Sequence, residues 1–313
     1  MAVRGFSNKE NDMAADRPLA AAGYVFAAMF FLGFFDNLVR LIAPELGLWQ
    51  FHLMRTVMAF GLFALMSLSS RVQFRPKRAW AVMLRGGLAA LAMLFYFGGL
   101  GFLPVGQVAS GLFTAPIWVM LISALFFGKP IGVTRLGAAL VGFVGVVIVL
   151  DPFSEGIRPA VMVPMAAGFF YALGAIATRQ WCEEETALSM LAAFFLCLGV
   201  FGAIGSVVMT VWPHEVPVGA DGFILRGVIW PSRWALFITF LQAIGSILGV
   251  GLLFRGYQLG DPAQVAIYEY SLLGFAAAWS FVLYGDRLGP SAVLGMVLIV
   301  ISGIVITLRS RES

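Results

Sequence analysis

The sequence predicts an all-α, polytopic membrane protein of ten transmembrane helices, arranged as two inverted five-helix repeats. Three observations predict it. Hydrophobic residues make up 61% of the 313 and charged residues only 12%, where a water-soluble domain carries roughly a quarter charged. The apolar residues gather in ten runs, each near the roughly 20 residues that a helix needs to cross the hydrocarbon. The second half of the chain also repeats motifs of the first at a constant offset. A soluble fold could not cover so much apolar side chain with polar surface, and a barrel strand would be shorter and alternate in polarity.

Taken in order, the first 18 residues are polar, with Lys9, Glu10, Asp12, Asp16 and Arg17. They lack the apolar core and small-residue cleavage site of a leader and are expected to be a cytosolic tail. The predicted spans follow at 19–39, 48–70, 79–101, 105–127, 133–150, 159–178, 187–211, 233–254, 262–284 and 290–308. Proline and glycine punctuate them at Pro44, Pro76, Pro104, Gly128-Lys129-Pro130, Asp151-Pro152, Pro213, Asp261-Pro262 and Gly289-Pro290.

An even number of crossings puts both ends on one side. With that side cytoplasmic, 13 lysines and arginines fall inside and 5 outside, with Arg55 and Arg85 within spans. The bias follows the positive-inside rule, so both termini are expected in the cytoplasm. The net charge of +4 therefore reflects membrane sidedness and does not point to nucleic acid. The longest connection, Trp212 to Ser232, is then external and is expected to be a surface excursion. Cys182 and Cys197 have no metal-ligand spacing and read as packing residues.

Phe97-Gly98-Gly99, Gln107-Val108-Ala109 and Phe127-Gly128-Lys129 recur 157 residues later as Phe254-Arg255-Gly256, Gln264-Val265-Ala266 and Tyr284-Gly285-Asp286. Five is odd, so a second five-helix unit enters the membrane from the opposite face. Inverted repeats are a common build of secondary transporters, with the substrate site near the midplane.

The segment Gly101-Phe102-Leu103-Pro104-Val105-Gly106-Gln107-Val108-Ala109, through Ala115-Pro116 and Phe127-Gly128-Lys129 to Gly142-Phe143-Val144-Gly145, resembles the EamA-type repeat of the drug/metabolite transporter superfamily. Arg55 in Leu53-Met54-Arg55 resembles an arginine often found in that family's second helix. The resemblance covers both halves, 19–151 and 158–308. The chain departs from the pattern at Lys129, where glutamate is common, and at Leu273, where Pro116 would recur. The resemblance implies a carrier of small solutes such as amino acids, amines and nucleotide-linked metabolites in a bacterial inner membrane. Its partners are a small-molecule substrate and the lipid bilayer, with protons a candidate coupling ion and no cofactor.

Ionisable groups within a span are costly and mark candidate sites. Glu269, in Tyr268-Glu269-Tyr270, lies well into the ninth predicted span. A carboxylate between tyrosines suits a cation through charge and ring-face attraction, or a proton. Its structural alternative is a partner for Arg55 or Arg85. Asp36 and Asn37 end the first span, with Asp36 expected at the outer mouth or, by preference, at the interface beside Arg40. His52 and Arg55 share a helix face and suit either an anionic substrate group or the headgroup layer. Gln242 and Ser246 are one turn apart, beside a Gly245-x-x-x-Gly249 close-packing signal. Gln107 and Gln264 are expected to serve helix–helix hydrogen bonding or gating ahead of substrate contact. Tyr96, Trp118, Tyr171 and Trp279 lie mid-span, away from the interfacial belt, and suggest aromatic cavity walls or ordinary core.

No Walker loop, His-Glu-x-x-His or Gly-x-Ser-x-Gly motif occurs in the chain, and Glu183-Glu184-Glu185 reads as a solvated turn. The reading is a non-enzymatic secondary transporter. A substrate with both a cation and a carboxylate would satisfy Glu269 and Arg55, so amino acids and S-adenosylmethionine-like compounds are expected first. The alternative is an exporter of another metabolite or drug by proton-coupled or facilitated exchange, and the second alternative is a membrane-embedded enzyme or a channel.

Overall fold

The computed structural model describes residues 18–68, 74–128, 132–151, 162–212, 215–259 and 262–309. Nearly all of the expected N-terminal tail lies outside these residues. Helices α1 (Pro18–Asn37), α2 (Val39–Ile42), α3 (Leu48–Ser67), α4 (Ala79–Leu100), α5 (Val105–Leu112), α6 (Ala115–Phe127) and α7 (Val133–Leu150) make up the first half. The second half holds α8 (Val163–Trp181), α9 (Ala187–Val211), α10 (Arg233–Leu259), α11 (Pro262–Glu269), α12 (Ser271–Tyr284) and α13 (Pro290–Arg309). Helix occupies each predicted window, and no strand occurs among the described residues.

Among the described residues, seven helical stretches are long and apolar enough to cross a membrane: Pro18–Ile42, Leu48–Ser67, Ala79–Leu100, Val105–Phe126, Ala187–Val211, Arg233–Tyr257 and Val265–Tyr284. Leu136–Leu150 and Pro290–Ile306 are shorter apolar helices. Apolar side chains such as Leu125, Val200 and Val282 point outward from the bundle, as they do where the solvent is lipid. The chain is a multi-pass membrane protein.

Two of these stretches are broken in the middle at equivalent places. Pro116 enters the first turn of α6 without an N–H to give, and the chain kinks at Phe113 and Thr114. The break between α11 and α12 falls at Tyr270 with no proline nearby; a tight turn carries it, with the Leu273 N–H on the Tyr270 carbonyl. The two break residues stack on each other, ring centroids 4.7 Å apart. Each broken stretch ends in a glycine with positive φ, Gly128 at 62° and Gly285 at 74°. A left-handed cap favours a residue without a Cβ, which explains the aromatic-glycine-charge turn repeated in the sequence.

Small residues set the closest helix contacts. A Cβ on Gly145 of α7 would lie 2.7 Å from the Gly295 carbonyl oxygen of α13. On α10, Gly245 faces the Phe35 ring and Gly249 faces Leu32, so the small-residue motif seats α1. α4 packs on both α8 and α9, α10 on α1 and α3, and α3 on α9.

The connection after α9 departs from the expected surface excursion. Phe223 is 1% exposed and joins the main core with Phe51 and Leu100. The Phe223 carbonyl accepts the Leu48 N–H at 2.8 Å, and the Ile224 carbonyl accepts the Trp49 indole at 2.9 Å. Arg226 donates to the carbonyls of Ala43, Leu46 and Gly219 at 2.7, 2.9 and 2.7 Å. Gln50 exchanges two hydrogen bonds with the Ile229 backbone. The apolar triplet Phe223-Ile224-Leu225 supplies the burial, and Arg226 satisfies carbonyls left open around α2. This segment caps one end of the bundle.

Candidate functional site

A cavity of about 880 Å³ runs along the bundle interior, walled by α1, α3, α4, α6, α8, α10 and the α11–α12 break. Its lining begins at Asp36, Arg55 and Tyr96, beneath the capping segment, and continues to Ser123, Arg179 and Tyr257 near the far ends of α6, α8 and α10. Most of the wall is apolar, with Met29, Leu32, Met93 and Phe97 among its residues. Polar groups collect at two stations.

The first station joins four helices. Asp36 of α1 accepts the Tyr96 hydroxyl of α4 at 2.9 Å and the Gln242 amide of α10 at 3.1 Å. The same amide donates to the Phe35 carbonyl at 3.0 Å. The Gln242 carbonyl oxygen accepts from Arg55 of α3 at 3.2 Å and from Ser246 at 3.0 Å. Gln242 is fully buried and stands behind the cavity wall, where it holds Asp36 and Arg55 in place. The Arg55 guanidinium lies 4.5 Å from the Phe97 ring centroid, with Phe51 and Phe195 at 5.3 and 5.7 Å. Ring faces and the Gln242 dipole offset part of the cost of burying that charge. Asp36 is not at the interface beside Arg40, because Arg40 pairs with Asp286 and lies over Tyr284.

The second station is centred on Glu269. The Tyr257 hydroxyl of α10 donates to Glu269, and Tyr171 and Tyr270 line the cavity with them. The Tyr270 hydroxyl is buried without a hydrogen-bond partner among the described residues. Neither arginine considered from the sequence reaches this carboxylate: Arg55 is held by Gln242, and Arg85 donates to the Thr178 hydroxyl at 3.2 Å. No lysine or arginine among the described residues forms an ion pair with Glu269.

The other expected residues are placed elsewhere. Tyr268 turns toward Phe26, its ring 5.6 Å away. Trp118 packs on Phe169 and donates to Thr114, outside the lining. Trp279 packs edge-on against Phe30 and Phe34 and donates to the Phe30 carbonyl, closing the seam between α1 and α12. Asn37 braces the same seam, donating to the carbonyls of Gly33 and Ala276 at 2.8 and 3.0 Å. Gln107 borders a small second pocket with Ser280 and Asp286, and the Gln264 side chain lies outside the described residues. Tyr257 and Arg179 are cavity residues that sequence reasoning did not single out. Both fall near the ends of spans, where tyrosine and arginine ordinarily mark the interface.

A multi-pass helical bundle enclosing a mostly apolar cavity with a few polar groups, Asp36 and Glu269 among them, is the architecture of a membrane transporter. The chain belongs to the EamA-like transporter family, whose model matches residues 19–151 and again 158–308. It is 24% identical over 226 residues to an S-adenosylmethionine uptake transporter of Rickettsia bellii, covering 72% of each chain. It is 31% identical over 234 residues to a riboflavin transporter of Rhizobium johnstonii, covering 72% of this chain and 71% of that one. A solved crystal structure with 18% sequence identity covers 93% of this chain and 96% of its own at a TM-score of 0.52, a likeness of fold alone.

Proposed function

We propose that the protein is a secondary transporter of small organic metabolites that bear a positive charge, working by alternating access in a bacterial inner membrane. The observation that carries this reading is Glu269, a carboxylate facing an 880 Å³ cavity among tyrosines, with no cationic side chain among the described residues paired to it. A carboxylate held within the membrane-spanning bundle without a counter-charge is costly, and a ligand cation or a proton supplies what the fold withholds. The Arg55–Gln242–Asp36 station offers a second polar contact, suited to a carboxylate or carbonyl on the same molecule. Amino acids and their derivatives fit both stations, and an S-adenosylmethionine-like sulfonium fits Glu269 and the tyrosine rings in particular. The names of the relatives support solutes of this size.

Ten spans in two inverted halves supply the mechanism. Exchanging each span for its counterpart in the other half maps the α4–α8 contact onto α10–α1 and α4–α9 onto α10–α3, and leaves α3–α9 and α7–α13 in place. The stacked break residues Phe113 and Tyr270, 157 apart in sequence, lie where such an axis would pass. Halves of similar build give inward-open and outward-open states of similar energy. With the termini cytoplasmic, as the lysine and arginine distribution supports, this cavity reaches toward the cytoplasm and the capping segment closes the outside.

Counterflow in proteoliposomes tests the function. Vesicles preloaded with unlabelled S-adenosylmethionine should accumulate the labelled compound transiently, and a parallel series uses riboflavin and the proteinogenic amino acids. Saturable counterflow of a cationic or zwitterionic member, lost in Glu269→Gln, is expected. No counterflow with any of them, or flux indifferent to Glu269, would sink the reading.

A further inference from the structure

Beneath the capping segment lie polar groups that the cavity leaves unexplained. His52 is fully buried, and neither of its ring nitrogens has a hydrogen-bond partner among the described residues. The Arg55 Nε, one helical turn away, lacks one too. Phe51 and Phe97 enclose the imidazole with ring centroids 5.0 and 5.1 Å away. Phe223 of the capping segment closes over Phe51 at 6.4 Å. Packing alone would be served better by an apolar side chain, because a buried nitrogen that loses water and gains nothing is costly. Such a group makes physical sense if another state of the protein hydrates it.

We propose that His52 lines the outer half of the substrate path and that residues 219–226 are the gate that seals it. The proposal rests on the alternating-access reading above. The cavity stops at Arg55, and His52 is the next side chain along the same face of α3 toward the cap. The seal is built so that it can come away. Its polar anchors are Arg226 on the Ala43 and Leu46 carbonyls and the Phe223 and Ile224 carbonyls on Leu48 and Trp49, with Gln50 holding the chain just beyond it at Ile229. Water can replace every one of these bonds when the segment lifts. The fit is close but not interlocked: Gly101 gives Phe223 its seat, where an added Cβ would come within 2.9 Å of the Phe223 side chain, and Gly47 lies against the Arg226 backbone. Withdrawal of Phe223 would open a line from outside to His52, then to Arg55 and the cavity. His52 and Arg55 would there present nitrogen donors to an arriving solute.

The test is side-specific thiol labelling. His52→Cys is made in a chain whose Cys182 and Cys197 are alanine, alone and combined with Arg226→Ala or Gln50→Ala, and reconstituted in vesicles. A membrane-impermeant methanethiosulfonate reagent is then applied to the face opposite the termini. Modification from that face is expected, faster by about tenfold when either anchor is removed, the shift in a gate equilibrium that one lost hydrogen-bonded anchor gives. The two anchors act at different points, so a misfolded variant at one leaves the other to decide. No modification from that face in any variant, or one rate in all of them, overturns the gate. Counterflow with the same vesicles separates the two readings: intact counterflow with anchor-independent labelling removes the gate alone, and absent counterflow in the unmodified chain removes the transporter reading.

Discussion

Replacing Gln242 with alanine removes a side chain that reaches both charged groups of the first station. The substitution deletes hydrogen bonds to Asp36, Arg55, Ser246 and the Phe35 carbonyl. Two of these involve ionised partners, and hydrogen bonds to charged groups contribute about 1.5–3 kcal/mol each. Asp36 and Arg55 border the cavity, so water can enter and satisfy them in part. That places the loss near the lower end, about 3 kcal/mol. For a chain of this size the thermal midpoint in detergent should fall by roughly 4–6 °C. Gln242→Glu sharpens the test. It keeps an acceptor for Arg55 but loses the donor to Phe35 and sets a carboxylate against Asp36, so it should be no more stable than the alanine variant. An alanine variant within about 2 °C of the parent chain, against that scale, would refute the claim that Gln242 holds the station together.

Glu269→Gln should leave the fold intact, since its amide oxygen still accepts from Tyr257, while uptake of a cationic solute falls by about tenfold or more, the scale of one lost charge contact; folding is read by gel filtration and uptake by counterflow. Gly145→Ala should cost roughly 1–3 kcal/mol because its Cβ meets the backbone of α13, whereas Gly137→Ala, with nothing within 4 Å, should be neutral or slightly stabilising; thermal midpoints decide between them. Asp286 sits outside the spans. Burial pushes its carboxyl pKa up, but Ser280 and Arg40 together hold it below the ordinary carboxylate value. A pKa lowered on folding stabilises above the unfolded value and fades as pH falls through the folded one. The difference in midpoint between the parent chain and Asp286→Asn should therefore be full at neutral pH and vanish as pH drops below about 4.

The spans were legible because lipid demands apolar runs of fixed length, a constraint that composition and spacing carry directly. The turns at Gly128 and Gly285 were legible for a local reason, since a left-handed cap leaves aromatic-glycine-charge in the text. Glu269, Asp36 and Arg55 stood out because ionisable groups are rare inside spans. What each of them touches did not. Gln242 meets Asp36 from 206 residues away and Arg55 from 187, contacts fixed by helix packing and invisible to periodicity. Depth in the membrane says nothing of which way a ring points, so Tyr96 and Tyr171 line the cavity while Trp118 and Trp279 close seams. Tyr257 lies beside Arg255 near a span end, where its sequence context reads as interface. The capping segment was misread because hydropathy averages over its polar neighbours and hides Phe223-Ile224-Leu225, the three apolar residues that seat it.

The central claim is that a cation-binding carboxylate works inside an alternating-access cavity. Its most direct measurement is the concentration dependence of counterflow in proteoliposomes, for the parent chain and for Glu269→Gln, with labelled cationic and neutral amino acids as probes. The account predicts saturable, transient accumulation of a cationic probe by the parent chain and its loss in the variant. Flux that rises linearly without saturation, or saturable counterflow that survives the loss of the Glu269 charge unchanged, would contradict it.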